Sequence, residues 1–276
     1  MKKLTKVAAL LMALALIVTS FAACSGSKDT ETSTTPDSSA SSDTLIMATN
    51  ANFPPYEYKD GDKIVGIDAE VAQLIADKLG KKLVIEDVEF GSIIAGVQTG
   101  KFDMGMAGMT VTPDREKSVN FTDSYATGIQ SVIVTADSAI KSLDDLKGDG
   151  SMKFGVQQDT TGDIYASDTE ENGGYGEDNV VRYKNGADAV QALKAGKIDA
   201  VIIDNEPAKS FVEANDGLKI LDGAWVEEHY AICVSKDNTA LLNDVNSALK
   251  ELIADGSVQK VVDKYIPANA EGTTAK

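Results

Sequence analysis

The sequence predicts an α/β fold, because short apolar segments with strand character alternate with amphipathic helical segments from Thr44 onward. The predicted strands span 45–49, 83–88, 104–107, 129–135, 154–156, 180–183, 200–203 and 230–234. The predicted helices span 71–79, 92–99, 187–195, 207–214, 241–255 and 257–265. Strands that are separated by helices are typical of a largely parallel sheet.

The first strand and the first helix show the two patterns most clearly. Residues 45–49 form an apolar run that ends in a β-branched residue. In the helix after it, Val71, Leu74, Ile75 and Leu79 recur at helical spacing and form one apolar stripe. A glycine comes directly after the stripe, where a C-terminal cap is expected. The first strand and the first helix therefore have the sequence pattern of one βα unit.

An internal repeat predicts two lobes of similar construction. Residues 97–104 and 193–200 both have the pattern of a helix end, a Gly-Lys turn and an apolar strand, at an offset of 96 positions. The same offset pairs Gly108 with Asp204, and each residue lies just beyond the carboxyl end of a predicted strand. Ligands of open α/β sheets bind at such ends. Two lobes that face each other across these ends would enclose a cleft.

Composition excludes several classes of function. The chain has 276 residues and a net charge of −17. This acidity argues against a nucleic acid partner, whose phosphates must be neutralised by Lys and Arg, and against attraction to anionic lipids. Two cysteines and one histidine are too few for a zinc site or a disulfide framework, so we expect no metal and no cofactor. Cys233 lies in an apolar run and is expected to be a core residue.

The N-terminus has the features of a secretory signal with a tether after it. Basic residues at 2, 3 and 6 precede an apolar run over 7–18, which predicts a signal peptide at 1–23. A permanent anchor helix is the alternative. The segment Phe21-Ala22-Ala23-Cys24 resembles a bacterial lipobox, which implies acylation of Cys24 with chains such as palmitate. Ser and Thr make up eleven of the nineteen residues over 25–43, so 24–43 is expected to be a flexible linker. We therefore expect an extracytoplasmic protein that is lipid-anchored to the cell membrane.

Four segments carry a resemblance, and they are 48–58, 66–70, 107–115 and 120–125. Together they resemble the polar amino-acid-binding proteins of bacterial ABC importers (extracellular solute-binding proteins, family 3), and the likeness extends from about Thr44 to Pro267. The resemblance implies a type II periplasmic-binding-protein fold, in which two crossover hinge strands join two lobes. It implies that lobe 1 consists of 44–126 and 228–267, lobe 2 of 127–227, and a flexible tail of 268–276.

A free amino acid needs a cation for its carboxylate, and Arg115 offers a planar fork that matches a carboxylate. Thr112 and Pro113 have the pattern of a helix cap and first helical position, which puts Arg115 in the first turn. Gly108 would let a ligand approach the backbone, and Thr110 would bind its polar head. Taken alone, an Arg after such a turn is more often a solvated surface residue, but the preceding strand end and the family resemblance favour the binding role.

The resemblance assigns the other ligand contacts as well. Asp204 would pair with the ligand ammonium, although a helix cap near 205–207 is the alternative from the sequence alone. Thr160 and Thr161 would close over the carboxylate, in a loop where Asp159 occupies a place that the family usually gives to glycine. Phe53 and Phe90 would form aromatic walls around the aliphatic part of the ligand, with core packing as the alternative.

Two amide side chains are expected to set specificity. The family's binders of basic amino acids carry an acidic residue at the position of Asn50, and the glutamine binder carries Lys at the position of Gln157. Buried amides need both donors and acceptors, so this pair favours a neutral polar ligand such as glutamine.

The predicted function is to capture a polar amino acid by hinged closure of the lobes and to deliver it, as a monomer, to the permease subunits of an ABC transporter. One alternative is an extracytoplasmic enzyme on the same fold, similar to cyclohexadienyl dehydratase, with Glu57 or His229 as acid or base. Neither residue has a spacing that indicates such a role, so we do not expect an enzyme. The other alternative is an amino-acid-sensing domain.

Overall fold

The computed structural model describes residues 43–147, 150–223 and 225–267, and within them strands and helices alternate. The strands are β1 (Thr44–Thr49), β2 (Asn52–Phe53), β3 (Glu57–Asp60), β4 (Lys63–Val65), β5 (Lys82–Asp87), β6 (Met104–Gly105), β7 (Val119–Thr135), β8 (Phe154–Gln157), β9 (Val180–Tyr183), β10 (Ala200–Asp204), β11 (Leu218–Ile220) and β12 (Glu227–Ser235). The helices are α1 (Ile67–Lys78), α2 (Ile93–Gln98), α3 (Pro113–Ser118), α4 (Thr161–Ser167), α5 (Gly186–Lys194), α6 (Asn205–Glu213), α7 (Thr239–Ala254) and α8 (Ser257–Tyr265).

The predicted signal peptide, Cys24 and the tail at 268–276 lie outside the described residues. Across the described ranges, none of the helices is both long and apolar enough to span a bilayer.

Strand β7 runs through both halves of the molecule and organises the main sheet. Its first part pairs with β12, from Val119 opposite Ser235 to Ile129 opposite Glu227. Its last part pairs with β10 and β11 instead. Lobe 1 is the half built on β5-β1-β6-β12 and the start of β7, and lobe 2 is the half built on the end of β7 with β10-β8-β9 and β11. The two lobes thus share β7, and β12 accompanies it where it crosses.

The prediction of a largely parallel sheet is right only for the outer strands. The β1–β5, β1–β6, β8–β9 and β8–β10 pairs are parallel, as expected for strands that helices connect. The pairs that involve β7 or β12 are antiparallel, because these two strands cross between the lobes in opposite directions. The predicted strand at 129–135 is therefore only the second part of a strand that begins at Val119.

The internal repeat is confirmed by the contacts that the two copies make. β6 is parallel to β1 and antiparallel to β12, while β10 is parallel to β8 and antiparallel to β7. Just before each of these strands, an aspartate accepts a backbone hydrogen bond from the neighbouring strand region. Asp103 accepts from Ile46 N at 2.7 Å, and Asp199 accepts from Lys153 N at 2.8 Å. Each lobe therefore anchors its inner strand by the same device.

Each lobe has an apolar core between its sheet and its helices. Met47, Ile75 and Leu249 of lobe 1 belong to one buried apolar cluster, and Phe154 and Ile202 of lobe 2 belong to another. Cys233 is fully buried, which confirms the prediction of a core residue, and burial raises the pKa of its thiol to about 12. The cores hold rigid sheet halves, and the loops at the strand ends carry the polar residues of the candidate site.

Candidate functional site

A small polar cavity lies between the carboxyl ends of strands from both lobes. It encloses about 320 Å³ and is lined by Asn50, Phe53, Glu57, Phe90, Ala107, Gly108, Thr110, Arg115, Gln157, Thr160, Thr161 and Asp204. All ten residues for which the sequence predicts ligand contacts are in this set. The structure thus brings the predicted residues together, and their binding roles remain predictions.

A larger concavity of about 600 Å³ lies on lobe 2 beside Phe154 and Tyr175. Its charged lining residues, Lys147 and Glu170, are exposed, and none of its described lining residues is a buried charged residue. The cavity between the lobes, in contrast, combines a buried cation with buried carboxyl groups, so we take it as the candidate site.

Arg115 enters the cavity from the first turn of α3, as the sequence predicts. Thr112 caps this helix by accepting from Arg115 N at 3.2 Å, and Pro113 occupies the first helical position. The guanidinium donates to Thr110 O at 2.7 Å and to the lobe 2 residue Asp159, at the carbonyl oxygen, at 3.1 Å. It also lies 5.2 Å from the centre of the Phe90 ring, within cation–π range. The guanidinium is therefore held in a fixed orientation, with part of its fork left for a ligand.

The loop before α4 is shaped by Asp159. Its φ angle is +65°, so the aspartate itself adopts the left-handed conformation for which glycine is usually chosen. Aspartate tolerates this region better than most residues, and Asp159 N donates to Asp163 Oδ2 at 3.0 Å. Thr160 then caps α4 and donates from Oγ1 to Gln157 O at 2.8 Å. Asp159 thus gives the loop the same left-handed backbone conformation that a glycine would adopt at this position.

Behind this loop, Arg182 fixes Asp163. The Nε of Arg182 lies 2.9 Å from the buried carboxylate of Asp163. Its two terminal nitrogens bind both oxygens of Glu177, at 2.5 Å and 2.9 Å. A continuous chain of contacts therefore runs from Glu177 on the surface through Asp163 and Asp159 to Arg115. The sequence alone does not indicate this chain of contacts, because its members are dispersed and resemble ordinary surface charges.

The two predicted specificity residues pair with each other across the cleft. Gln157 of lobe 2 donates from Nε2 to Asn50 Oδ1 at 2.9 Å, and Asn50 donates from Nδ2 to Val88 O at 2.7 Å. Both side chains are buried. The expectation that these amides need a ligand for their hydrogen bonds is therefore only partly right, because each already satisfies part of the other's requirement.

Gly108 and Phe53 are in close contact on the lobe 1 wall. Gly108 has a φ of +50°, and a Cβ on it would lie 2.7 Å from Phe53 Cε1. Its backbone N donates to Asp68 Oδ2 at 2.8 Å. Both the close approach to the ring and the backbone conformation therefore require glycine at this position.

Asp204 lies at the end of β10 and faces the cavity. It occupies the cap position of α6, but its side chain makes no capping hydrogen bond. Instead it accepts from the Tyr230 hydroxyl and, at 2.9 Å, from Gln130 Nε2. Burial and then the neighbouring Glu228 raise the pKa of Asp204 well above its ordinary value. These contacts favour a role for the Asp204 side chain in binding a positively charged group over a role as a helix cap.

A second pair of buried carboxyl groups, Glu57 and Asp68, lies on the lobe 1 side. Asp68 accepts from the Tyr125 hydroxyl at 2.8 Å, and burial raises its pKa to about 6. Glu57 lines the cavity, and its buried Oε2 has no hydrogen-bond partner among the described residues. Burial, and after it the charge of Asp68, raises the pKa of Glu57 well above its ordinary value. The site therefore has an excess of acidic groups that a positively charged ligand group would relieve.

The two lobes around one enclosed polar cavity are the architecture of a solute-binding protein. A family model described as "Bacterial extracellular solute-binding proteins, family 3" matches residues 45–268. The chain belongs to this family.

Named relatives agree with this class. The chain is 34% identical over 223 residues to the "Arginine-binding extracellular protein ArtP" of Bacillus subtilis (strain 168), which covers 80% of this chain and 85% of that protein. It is 38% identical to the solved structure of "An ancestral arginine-binding protein bound to glutamine", with a TM-score of 0.73 and coverage of 81% and 98%. The "ancestral amino acid-binding protein AncCDT-1, a precursor of cyclohexadienyl dehydratase", is 33% identical, with a TM-score of 0.72 and coverage of 81% and 95%. All three are described as binding proteins.

Proposed function

We propose that this protein binds one free polar amino acid in the cavity between its lobes. The ligand carboxylate would bind Arg115 and the loop of Thr160 and Thr161, and the ligand ammonium would bind Asp204. The observation that carries the proposal is that a buried guanidinium of lobe 1 and a buried carboxyl group of lobe 2 line the same cavity. These are the two charges that the ends of a zwitterion require.

Capture would be a closure of the two lobes over the ligand. Contacts already bridge the cleft, from Arg115 to Asp159 O and from Gln157 to Asn50. A ligand that binds both lobes adds to the contacts of the closed form and shifts the population towards it. The lobes would consist of 44–126 with 228–267 and of 127–227, as the resemblance implies, with the hinge in the crossing parts of β7 and β12.

Delivery would be to the permease subunits of an ABC transporter, with the protein acting as a lipid-anchored monomer. Family membership supports the transport role, and the lipobox-like segment before Cys24 supports the anchor. Replacing Cys24→Ser and locating the protein by membrane fractionation and mass spectrometry tests the anchor: the variant is expected in the soluble fraction without acyl chains.

Two amino acids are the first candidates for the ligand. The amides of Asn50 and Gln157 favour glutamine, the sequence-based choice, and one solved relative is described as bound to glutamine. The unpartnered oxygen of Glu57 favours a cationic side chain, and another relative is described as arginine-binding. Glutamine and arginine are therefore to be compared directly.

A thermal-shift screen of the lipid-free protein against all common amino acids tests the function. Binding to the folded state raises the apparent melting temperature by mass action. A polar amino acid is expected to raise it strongly and apolar ones weakly. If no amino acid shifts the transition, and calorimetry also detects no binding heat, the proposed function is wrong.

A further inference from the structure

Two buried carboxyl groups meet at the ammonium end of the cavity. Asp204 ends β10 and is 7% exposed, and Glu228 lies near the start of β12 and is 2% exposed. Gln130 of β7 donates from one nitrogen, Nε2, to both of them, at 2.9 Å to Asp204 Oδ2 and at 3.0 Å to Glu228 Oε2. A single amide therefore ties them together.

The surroundings do not supply enough positive charge for two carboxylates. The second oxygen of Glu228, Oε1, is buried and has no hydrogen-bond partner among the described residues. Arg115 of α3 is the cation that acts on both carboxyl groups, and it is also committed to Thr110 O and Asp159 O. Two like charges this close in a buried site cannot both be ionised without a large cost, so a proton on one of them is favoured.

The other titratable groups near the pair are acidic or neutral, with the exception of Arg115. The groups that face Asp204 from the elements around it are Glu228 and Tyr230 of β12, Arg115 of α3, Tyr165 of α4, Tyr56 of the loop before β3, and Glu57 of β3. The Tyr230 hydroxyl donates to Asp204, and Glu228 helps to raise the pKa of Tyr165. Apart from Arg115, none of these groups is a cation.

We propose that Glu228 is a positioning residue for the ligand ammonium: in the ligand-free protein it keeps a proton on Asp204, beside which Gln130 holds it, and the ligand displaces this proton to the solvent. The inference rests on the proposed function. No covalent bond changes other than the loss of this proton, because the proton leaves to a buffer base and the ammonium takes its place beside the carboxylates. Glu228 lies behind Asp204, so it acts through Asp204 and Gln130.

Affinity for the ligand should therefore depend on pH. Since proton and ammonium compete for the same pair, the ligand binds more tightly as the pH rises. The dissociation constant is expected to fall by up to about tenfold per pH unit while one proton is released. The dependence ends where the pair of the free protein has lost its proton.

Calorimetry in buffers of different ionisation enthalpy measures the released protons. L-glutamine and L-arginine are titrated into the full folded protein in phosphate, HEPES and Tris near neutral pH. The wild type is expected to release about one proton per ligand. Glu228→Gln is expected to release close to none, because the new amide can donate to Asp204 and keep it ionised. The matched control is Glu227→Gln, which changes the exposed neighbour on the same strand and should behave as the wild type.

The outcomes separate this inference from the function on which it rests. A flattened pH profile and a lost proton in Glu228→Gln, with both retained in Glu227→Gln, support the inference. Amino acid binding without proton release in the wild type overturns it. So does a Glu228→Gln variant that binds more weakly by one factor at every pH while releasing the wild-type proton, since that is a structural effect. If neither amino acid nor any other binds the wild type, the proposed function itself fails.

Discussion

The guanidinium of Arg115 in lobe 1 donates from Nη2 to the carbonyl oxygen of Asp159 in lobe 2, at 3.1 Å. The residue expected to hold the ligand carboxylate is thus also a link between the lobes. Closure and ligand binding use the same side chain, because the loop that approaches Arg115 is the loop that would cover the ligand. A change at either residue should affect both.

Replacing Arg115→Ala is expected to abolish tight binding. It leaves the ligand carboxylate without its partner in a buried site, at a cost of roughly 3–5 kcal/mol, or more than a hundredfold in affinity. Isothermal titration calorimetry with the amino acid found in the screen measures the effect. The control is Lys117→Ala on the same helix, whose ammonium is exposed and paired with Asp114. Equal affinities for Arg115→Ala and the wild type would remove Arg115 from the site.

The backbone of Asp159 gives a second prediction, through two substitutions of different effect. Asp159→Gly keeps the left-handed conformation at no steric cost, whereas Asp159→Ala keeps the Cβ of the wild type but loses the tolerance that aspartate has for this region. We expect Asp159→Gly to bind like the wild type and Asp159→Ala to be less stable and to bind more weakly. Urea unfolding and calorimetry measure the two effects. If alanine is tolerated as well as glycine, the φ of this residue does not govern the loop.

Arg182 should matter for binding although it does not line the cavity. Arg182→Met removes the cation that holds Asp163, which accepts from Asp159 N. The loop is then held less firmly beside Arg115, and affinity is expected to fall by about three- to tenfold, or roughly 1 kcal/mol. Arg182→Lys keeps a charge without the fork and should have a smaller effect. Lys194→Met, an exposed cation elsewhere in lobe 2, should have none.

A comparison of two ligands tests whether Arg182 acts through the carboxylate loop. An analogue in which the α-carboxylate is an amide cannot use the carboxylate loop, so Arg182→Met should weaken the free amino acid far more than this analogue. An equal loss for both ligands would mean that Arg182 acts on the whole lobe and not on the loop.

Asp68 predicts an unusual pH dependence of stability. Its pKa in the folded protein is about 6, above the ordinary value of 3.8, mainly because it is buried. Between these values the folded state binds more protons than the unfolded state, so its contribution to stability falls as the pH rises from about 4 to about 6 and is constant above that. The loss amounts to up to about 3 kcal/mol. Asp68→Asn cannot titrate and lacks this pH dependence.

Urea unfolding of ligand-free wild type and Asp68→Asn at several pH values measures the effect of Asp68 together with its effect on Glu57, whose pKa it raises. The stability difference between the wild type and Asp68→Asn should shift against the wild type as the pH rises from about 4 to about 6. Parallel curves for the two proteins would show that Asp68 titrates as an ordinary carboxyl group.

The parts of the fold that local patterns specify are predictable from the sequence. Strands such as β9, and α8 with its apolar stripe, have the predicted bounds. The first part of β7 is not predicted, because 119–128 mixes polar and apolar residues without a clear period. It is a strand through its pairing with β12, which lies more than ninety positions away. Long-range pairing of this kind leaves little trace in a local pattern.

The candidate site likewise contains residues that the sequence predicts and residues that it does not. Arg115 and Asp204 stand out in the sequence because each comes at or soon after the end of a predicted strand. Gln130 and Glu228 lie inside strands, and only the register of β7 with β10 and β12 turns them towards Asp204. No spacing in the sequence indicates that register. The sequence offers Glu57 only as a catalytic group, and its position in the cavity suits a ligand cation instead.

A crystal structure of the protein with its amino acid would show directly whether Arg115 and Asp204 hold the two charged ends of the ligand. We expect the ligand carboxylate within about 3 Å of the Arg115 guanidinium and the ligand ammonium within about 3 Å of the Asp204 carboxylate. A ligand bound in the concavity beside Phe154 and Tyr175, or one in the central cavity whose charged ends contact neither Arg115 nor Asp204, would contradict the proposed site.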